Sequence, residues 1–418
     1  MNFFGKVLGL FLLVFVSQGA LGDQAEELTE RANEKYRKGD FIGALADYDK
    51  VVQLTPNNPR VYFNRGTARD ETGDLDGALS DYDKAIQLEP RFALAYGNRG
   101  KTKKSKGDLK GAIADFNKAI ELKPDNARAY RNRGSAKEES GDLNGAINDY
   151  DKAIELKPDD AETFAGRGYA RYGKGDVDGA INDYDQAVKL KSDFAQAFWG
   201  RGIAKQQKGN LELALPDYDK AIKLEPNHDR AYASRATARK GKGDLNGALA
   251  DFSKAIQLTP ARPELYNNRG YVLYDLGDFK AALSDFRHAM ERDSNPDYAS
   301  FMVWLIRARL GEKDAATKEV QVFWATRKTN KPADWPSKVA HFLMGQMSES
   351  DFLKSAADSS DKKKDNEQRC EAFFYAGARR LVESEKNTAK QYFQKCIETG
   401  VKSFFEYQCA EAELKRLR

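Results

Sequence analysis

The sequence predicts an all-α solenoid in which one two-helix unit is stacked along the chain. The stretch from Ala127 to Asp160 recurs at steps of 34 residues, and eight copies fill residues 25–296 without a gap. Apolar residues within a copy return at every third or fourth position, which is typical of amphipathic helices. A repeat of roughly 20 to 50 residues indicates units that bury their apolar faces against their neighbours.

The turn between the two helices of a unit is marked by Gly141 and Asp142. Glycine readily adopts the left-handed conformation that ends a helix, and an aspartate directly after it can cap the next helix. An equivalent glycine is present in every copy, at Gly39, Gly73, Gly107, Gly141, Gly175, Gly209, Gly243 and Gly277. We therefore expect each copy to fold as helix, tight turn and helix.

Small residues at matching positions predict close contact between the two helices of a unit. In the copy that begins at Ala127 they are Gly134 on the first helix and Ala146 on the second. Close approach leaves Tyr150 of the second helix to fill the space toward the next copy. A larger side chain in place of Ala146 is expected to cost about 1 to 3 kcal/mol through overpacking.

With these landmarks, the unit resembles the tetratricopeptide repeat (TPR) family, whose helix-turn-helix repeats have the same length. The resemblance implies a TPR α-solenoid, a right-handed superhelix that presents its first helices on a concave surface. The copies depart from the common TPR pattern where Arg replaces Leu just before the small residue of the first helix.

An Asp precedes the aromatic residue of each second helix as regularly as that Arg occurs. The pairs are Arg31 with Asp47, Arg65 with Asp81, Arg99 with Asp115, Arg133 with Asp149, Arg167 with Asp183, Arg201 with Asp217, Arg235 with Asp251 and Arg269 with Asp285. We predict a ladder of ion pairs that stabilises the stack, because a ligand rarely needs the same pair in every copy. A charged binding groove is the alternative interpretation.

The TPR resemblance also implies that the second, fifth, ninth and twelfth positions of each copy line the concave surface. These positions form a basic cluster in the third and fourth copies, with Lys101, Lys104, Arg128 and Arg131, partly offset by Glu138. They are aromatic in the fifth, sixth and eighth copies, at Tyr169, Tyr172, Trp199, Tyr271 and Tyr274. A basic patch beside aromatic rings suits a peptide with acidic groups or a C-terminal carboxylate. The alternatives are a solvated charged face and tyrosines that cover a neighbouring helix.

Residues 1–22 are typical of a secretory signal peptide. One basic residue, Lys6, precedes an apolar run from Val7 to Val16, and the small residues Ala20 and Gly22 favour cleavage after Gly22. The run is too short to span a bilayer readily, and no Cys for lipid attachment lies near the cleavage point. We expect a periplasmic or extracellular protein with no transmembrane segment after cleavage. A retained N-terminal anchor is the alternative.

No group of residues in the sequence is typical of a catalytic, cofactor or metal site. The motif GKGDLNG only superficially resembles a phosphate-binding loop, because it joins two helices and recurs as the turn of the repeat. The three histidines are far apart, and a net charge of +4, or +3 without Lys6, gives no electrostatic case for nucleic acid. We predict a scaffold that is not an enzyme and binds a protein or peptide. The alternative is a carbohydrate-binding or polysaccharide-export component that uses the aromatic residues.

The repeat degrades after Pro296, and residues 297–418 are expected to form an irregular TPR-like helical cap. Its Trp335 and its FFY and FEY segments resemble the C-terminal part of bacterial new-lipoprotein-I-like TPR adaptors, although the lipid-attachment Cys of that family is absent. This resemblance implies an adaptor that brings cell-wall hydrolases to a protease, with a cell-envelope enzyme among its partners.

All three cysteines lie in this C-terminal region. Cys370 begins one predicted helix and Cys396 lies late on its antiparallel partner. In an oxidising compartment the pattern favours a Cys370–Cys396 disulfide, with Cys409 as a buried thiol. The pair Cys396–Cys409 is the alternative.

Overall fold

The computed structural model describes residues 22–292, 296–325, 334–357, 361–402 and 404–418. Within these ranges the regular structure is entirely helical. The chain divides into two compact units, residues 1–208 (unit 1) and 209–418 (unit 2). All of the predicted signal peptide except Gly22 lies outside the described residues.

Unit 1 contains eleven described helices, which alternate between the first and second helices of the repeat. They are α1 (22–37), α2 (Phe41–Leu54), α3 (Pro59–Thr72), α4 (Leu75–Leu88), α5 (Ala93–Ser105), α6 (Leu109–Leu122), α7 (Ala127–Glu139), α8 (Leu143–Leu156), α9 (Ala161–Gly173), α10 (Val177–Leu190) and α11 (Ala195–Gln207). From α2 onward each helix packs against the helix that follows it in the unit, and α1 is joined to α2 by the bond between Arg31 and Asp47.

Unit 2 begins with the second helix of the sixth copy and continues through two further copies. Its described helices are α12 (Leu211–Leu224), α13 (Asp229–Gly241), α14 (Leu245–Leu258), α15 (Pro263–Leu276), α16 (Phe279–Arg292), α17 (Asp297–Arg309), α18 (Lys313–Ala325), α19 (Trp335–Leu343), α20 (Glu349–Ser355), α21 (Lys362–Val382), α22 (Lys386–Glu398) and α23 (Phe405–Arg416). No helix in the described ranges is long and apolar enough to span a membrane.

The structure confirms the predicted turn. Gly141 has a φ angle of +89°, in the left-handed region that favours glycine. Asp142 caps α8, because its side chain accepts a hydrogen bond of 2.8 Å from the amide of Gly145. Both features follow from local chemistry, which is why the repeat sequence predicts them.

The close contact of small residues is also confirmed. A Cβ atom at Gly134 would lie 3.2 Å from the carbonyl oxygen of Ala146 and 3.1 Å from the ring of Tyr150. The hydroxyl end of the same ring lies 2.8 Å from the Cβ position of Gly166 in the next copy. Tyr150 therefore fills the space between two copies, as the sequence predicts.

The Arg–Asp ladder forms as predicted. The Nε and Nη2 atoms of Arg133 donate to both carboxylate oxygens of the buried Asp149, at 2.9 and 2.5 Å, and Lys137 lies 2.8 Å from the same carboxylate. The same bidentate pair occurs at Arg31–Asp47, Arg65–Asp81, Arg99–Asp115, Arg167–Asp183, Arg235–Asp251 and Arg269–Asp285.

From the second copy onward, the ladder arginines also bond to the preceding copy, which the sequence analysis did not predict. Arg133 donates through Nη1 to Asn117 at 2.6 Å, and Arg167 donates in the same way to Asp151 at 2.6 Å. One guanidinium therefore ties the two helices of its own copy together and ties that copy to its neighbour. Since the planar guanidinium has five donors in a fixed geometry, Lys could not replace it in both roles.

The largest apolar core lies in unit 2, where α15–α17 pack with the C-terminal helices. Its fully buried aromatic residues include Phe301, Trp304, Phe342, Phe352 and Tyr375. α21 packs against α22, and α23 contacts α15, α21 and α22. The C-terminal helices therefore bury apolar surface of the last copies.

Candidate functional site

The first helices of unit 1 form a continuous layer, since α3, α5, α7, α9 and α11 contact each other in sequence. We call the surface of this layer that carries the second, fifth, ninth and twelfth positions of each copy the inner face. Several of its side chains are open to solvent, including Tyr169, which is 52% exposed. The layer brings together the site residues predicted from the third to the sixth copies.

The predicted basic cluster is largely neutralised by acidic residues of neighbouring copies. Lys101 lies 3.0 Å from Asp70, and Lys104 lies 3.2 Å from Glu139.

Arg131 is paired with two carboxylates, Asp160 at 3.0 Å and Glu162 at 2.6 Å, whereas Arg128 is exposed near the start of α7. Acidic neighbours therefore balance the positive charge of three of the four predicted basic residues, and the binding of a peptide by this cluster stays a prediction. Acidic side chains about one repeat length away along the sequence lie beside these cations.

The carboxyl group that the sequence predicts to offset part of the basic cluster lies in the middle of the inner face. Glu138, at the twelfth position of its copy, accepts a hydrogen bond of 3.0 Å from the hydroxyl of Tyr150. Burial raises the pKa of the Glu138 carboxyl, while this hydrogen bond and the charge of Lys104 act against the rise. Glu138 therefore combines partial desolvation with a neutral hydrogen-bond donor.

Two glycines near Glu138 let tyrosine rings of the second helices pack directly against the first-helix layer. A Cβ atom at Gly200 would lie 2.5 Å from the ring of Tyr184, and one at Gly166 would lie 2.8 Å from Tyr150. The equivalent residue in the second, third and fourth copies is Asn, at Asn64, Asn98 and Asn132. The change from Asn to Gly is the sequence signal that could have located this part of the face, because it lets two second-helix tyrosines reach the first-helix layer.

Tyr169 and Tyr172 of α9 complete the arrangement. Tyr172 packs against the cluster that contains the buried Tyr184. Burial raises the pKa of the Tyr184 hydroxyl, and the nearby Glu138, Tyr169 and Tyr172 add to the rise. We call Glu138, Tyr150, Tyr169, Tyr172 and Tyr184 together the aromatic cup; the predicted Trp199 lies half-buried on the adjacent α11.

Family comparison identifies the repeat. Models described as "TPR repeat" match residues 32–69, 100–141, 139–175, 168–209 and 238–277. Models described as "Tetratricopeptide repeat" match residues 59–92, 195–228 and 263–296, and the matches together cover more than half of the chain. The chain belongs to the tetratricopeptide repeat family.

Solved structures show the same fold. A tetratricopeptide repeat protein from Parabacteroides merdae is 20% identical with a TM-score of 0.50, over 60% of this chain and 99% of that protein. A chain of the APC/C hetero-tetramer Cut9–Hcn1 is 16% identical with a TM-score of 0.52, over 66% of this chain and 54% of that one.

YrrB, a TPR protein described as having an unusual peptide-binding site, is 27% identical with a TM-score of 0.37, over 44% of this chain and 95% of that one. No curated protein matches the sequence.

The eighth TPR differs from the predicted open groove. Tyr271 is only 2% exposed and stacks on Phe405 of α23, with ring centres 4.2 Å apart and planes 3° apart. The buried Tyr274 donates a hydrogen bond of 2.8 Å to Glu413. The prediction that Tyr271 and Tyr274 line an open groove is therefore wrong, because α23 covers them.

The contact between α23 and the last two TPRs is extensive. Lys240, at the twelfth position of the seventh TPR, donates to Gln408 at 2.6 Å and lies 4.8 Å from the centre of the Phe405 ring. Arg416 donates to the backbone carbonyl of Asp275 at 2.9 Å. In unit 2 this part of the first-helix surface is occupied by the protein's own C-terminal helix.

The cysteines are buried free thiols in the structure. The sulfur atoms of Cys370 and Cys396 are 3.4 Å apart, in contact but beyond the length of about 2.05 Å of a disulfide. The predicted pair is therefore adjacent but unbonded, so the disulfide is not present in this structure. The hydrogen bond with Cys370 and burial raise the pKa of the Cys396 thiol.

Proposed function

We propose that this TPR protein is a non-enzymatic scaffold that holds a peptide segment of a partner protein on the inner face of unit 1. TPR proteins in general bind proteins or peptides. The observation that carries the proposal is the exposure of Tyr169 at a position whose counterpart in the eighth TPR, Tyr271, is buried. An open aromatic surface on a rigid helical layer is suited to a peptide ligand.

We further propose that the protein acts in the periplasm or outside the cell, with a partner in the cell envelope. This rests on the signal-peptide pattern of residues 1–22. The mass of the protein recovered from its native cells checks the proposal: a chain that begins at Asp23 supports it, and a full-length chain retained in the cytoplasm contradicts it.

Peptide selection by the purified mature protein tests the binding proposal. Peptides enriched from a random library should bind wild-type protein, and Tyr169→Ala should weaken their binding about tenfold, as expected for an aromatic contact. Ile42→Ala is a matched control, because Ile42 is 78% exposed on the second helix α2, away from the inner face. Equal binding by both variants, or no peptide enriched at all, would contradict the proposal.

A further inference from the structure

The charges around the aromatic cup favour a cationic ligand. Lys104 is paired with Glu139 at 3.2 Å and is close enough to Glu138 to influence its pKa. The one ammonium group at this point is therefore bonded to Glu139 and not directly to Glu138. Arg131, on the same helix as Glu138, is shared between two carboxylates. Around Lys104 and Arg131 the carboxylates Glu138, Glu139, Asp160 and Glu162 outnumber the two cations, while Arg128 lies at the opposite end of α7 from Glu138.

Glu138 is the carboxylate best placed to accept a hydrogen bond from a ligand. The hydrogen bond it receives within unit 1 comes from the neutral hydroxyl of Tyr150, so its negative charge is not matched by a cation bonded directly to it. Partial burial weakens the screening of that charge by solvent. Such a carboxylate forms a stronger hydrogen bond with a donor that carries a positive charge than with a neutral donor.

The rings around Glu138 suit the same ligand. Aromatic faces attract an ammonium or guanidinium group within about 6 Å, with a preference for Arg over Lys. Tyr169 offers an exposed ring, while Tyr172 and the edge of Tyr184 lie deeper. Gly200 lets the Tyr184 ring pack directly against α11, and this buried ring forms the floor beneath Tyr169 and Tyr172.

We propose that the aromatic cup binds a lysine or arginine side chain of the peptide held by unit 1. The inference rests on the proposed function, since the ligand is the peptide assigned there to the same face. It names the chemistry of the partner: an exposed segment with a basic residue. The ammonium or guanidinium group is held by the Glu138 carboxylate, and its alkyl stem lies against the rings of Tyr169 and Tyr172.

Peptide pools with one fixed central residue provide the test. Four otherwise random pools carry Lys, Arg, Glu or norleucine at the centre, and their binding to the mature protein is compared. Wild-type protein should prefer the Lys and Arg pools about tenfold over the norleucine pool. Glu138→Gln should bind all four pools equally, because glutamine keeps the acceptor for Tyr150 and removes the charge.

Glu155→Gln is the matched control, with the same change of charge at an exposed site on the second helix of the same TPR. It should keep the preference for basic pools. Thermal melts of both variants report whether they fold, and Tyr169→Ala supplies an independent variant at an exposed position. In that variant the binding of the Lys and Arg pools should fall while its melt stays unchanged.

The outcomes separate this inference from the proposed function. Binding of all pools without a basic preference, or a basic preference retained in Glu138→Gln, overturns the inference and leaves the scaffold function standing. A preference for the Glu pool overturns it in favour of the acidic ligand first predicted. Binding of no pool, with binding to a glycan array that Tyr169→Ala abolishes, overturns both proposals.

Discussion

The fifth and eighth TPRs carry tyrosines at the same two repeat positions, yet these residues have opposite environments. Tyr169 is 52% exposed on α9, whereas Tyr271 is 2% exposed on α15. Tyr172 lies at the edge of the aromatic cup, whereas Tyr274 is buried and bonded to Glu413. The comparison teaches that repeat position alone does not make a residue part of a binding surface. Whether a residue at a given repeat position is exposed depends on whether another segment covers its helix.

The residues that lie between the two tyrosines differ between α9 and α15 in the same way. Between Tyr271 and Tyr274 lie Val272 and Leu273, and all four are buried. A helix that is apolar on every side belongs inside a protein. Between Tyr169 and Tyr172 lie an alanine and Arg171, whose guanidinium joins the ladder at Asp183. The apolar run on α15 is the sequence signal for its burial, and its partner α23 supplies the cover.

The largest expected effect comes from removing the two tyrosine rings in turn. Tyr271→Ala should lower the free energy of unfolding of unit 2 by about 3 to 5 kcal/mol, because it leaves a cavity beside Phe405. Tyr169→Ala should change stability by no more than about 0.5 kcal/mol, since the ring is exposed. Urea unfolding followed by circular dichroism measures both. Similar losses of unfolding free energy in the two variants would contradict the difference in burial between Tyr169 and Tyr271.

The ladder should contribute equally to the free energy of unfolding of both units. Equal contributions would show that the fifth and eighth TPRs differ in their covering by α23 and not in the ladder. Arg133→Ala and Arg235→Ala each leave a buried aspartate with one remaining basic partner, and each should cost about 3 to 4 kcal/mol. Lys152→Ala removes one member of an exposed ion pair and should cost less than about 1 kcal/mol. Thermal melts of the three variants provide the check. An Arg133→Ala protein as stable as wild type would refute the structural role of the ladder.

Oxidation should affect unit 2 alone. The contact between Cys370 and Cys396 makes them the expected pair in an oxidising compartment, and their bond should stabilise α21 against α22 by roughly 2 to 4 kcal/mol. Peptide mapping without reduction, on protein purified from its native compartment, should find this bond and a free Cys409. Three free thiols, or a bond between Cys396 and Cys409, would contradict this expectation.

The smallest expected effect is on the pH dependence of the free energy of unfolding. Burial raises the pKa of Glu371 on α21 and of Glu406 on α23, both in the C-terminal core. A raised pKa in the folded state means that their contribution to stability is complete below the unfolded value of about 4.3 and is lost as pH rises. Carboxylates with lowered pKa, such as Glu319 and Glu349, lose their contribution only as pH falls through the acidic range.

Glu371→Gln isolates this effect. The variant keeps an acceptor for Trp335, which donates to Glu371 at 2.7 Å, and removes the charge. Its stability relative to wild type should therefore increase from pH 5 to pH 8, whereas Glu411→Gln, an exposed change on α23, should show no such trend. Parallel pH profiles for Glu371→Gln and wild type would show that burial of this carboxyl has no cost.

Sequence analysis predicted the features that one repeat length contains. The left-handed Gly141, the cap at Asp142 and the Arg133–Asp149 pair all depend on residues within a single copy. These contacts are local and repeated, so one period of sequence is enough to establish them.

The ion pairs between copies and the contacts with the C-terminus were missed. The pairing of Lys101 with Asp70 spans nearly a full repeat, and the bond between Tyr274 and Glu413 joins residues 139 positions apart. Neither follows from periodicity, because each requires knowing which faces meet. The bond between Tyr150 and Glu138 was missed for the same reason, although the sequence places Glu138 beside the basic cluster.

Hydroxyl-radical footprinting of the wild-type mature protein is the best test of whether α23 covers the tyrosines of the eighth TPR while Tyr169 of the fifth stays exposed. It measures the exposure of each tyrosine without any mutation. The account predicts rapid modification of Tyr169 and protection of Tyr271 and Tyr274, and it predicts that a peptide bound on unit 1 protects Tyr169 in turn. Modification of all three tyrosines at similar rates would contradict the account, since it would mean that α23 leaves the inner surface of the eighth TPR as open as that of the fifth.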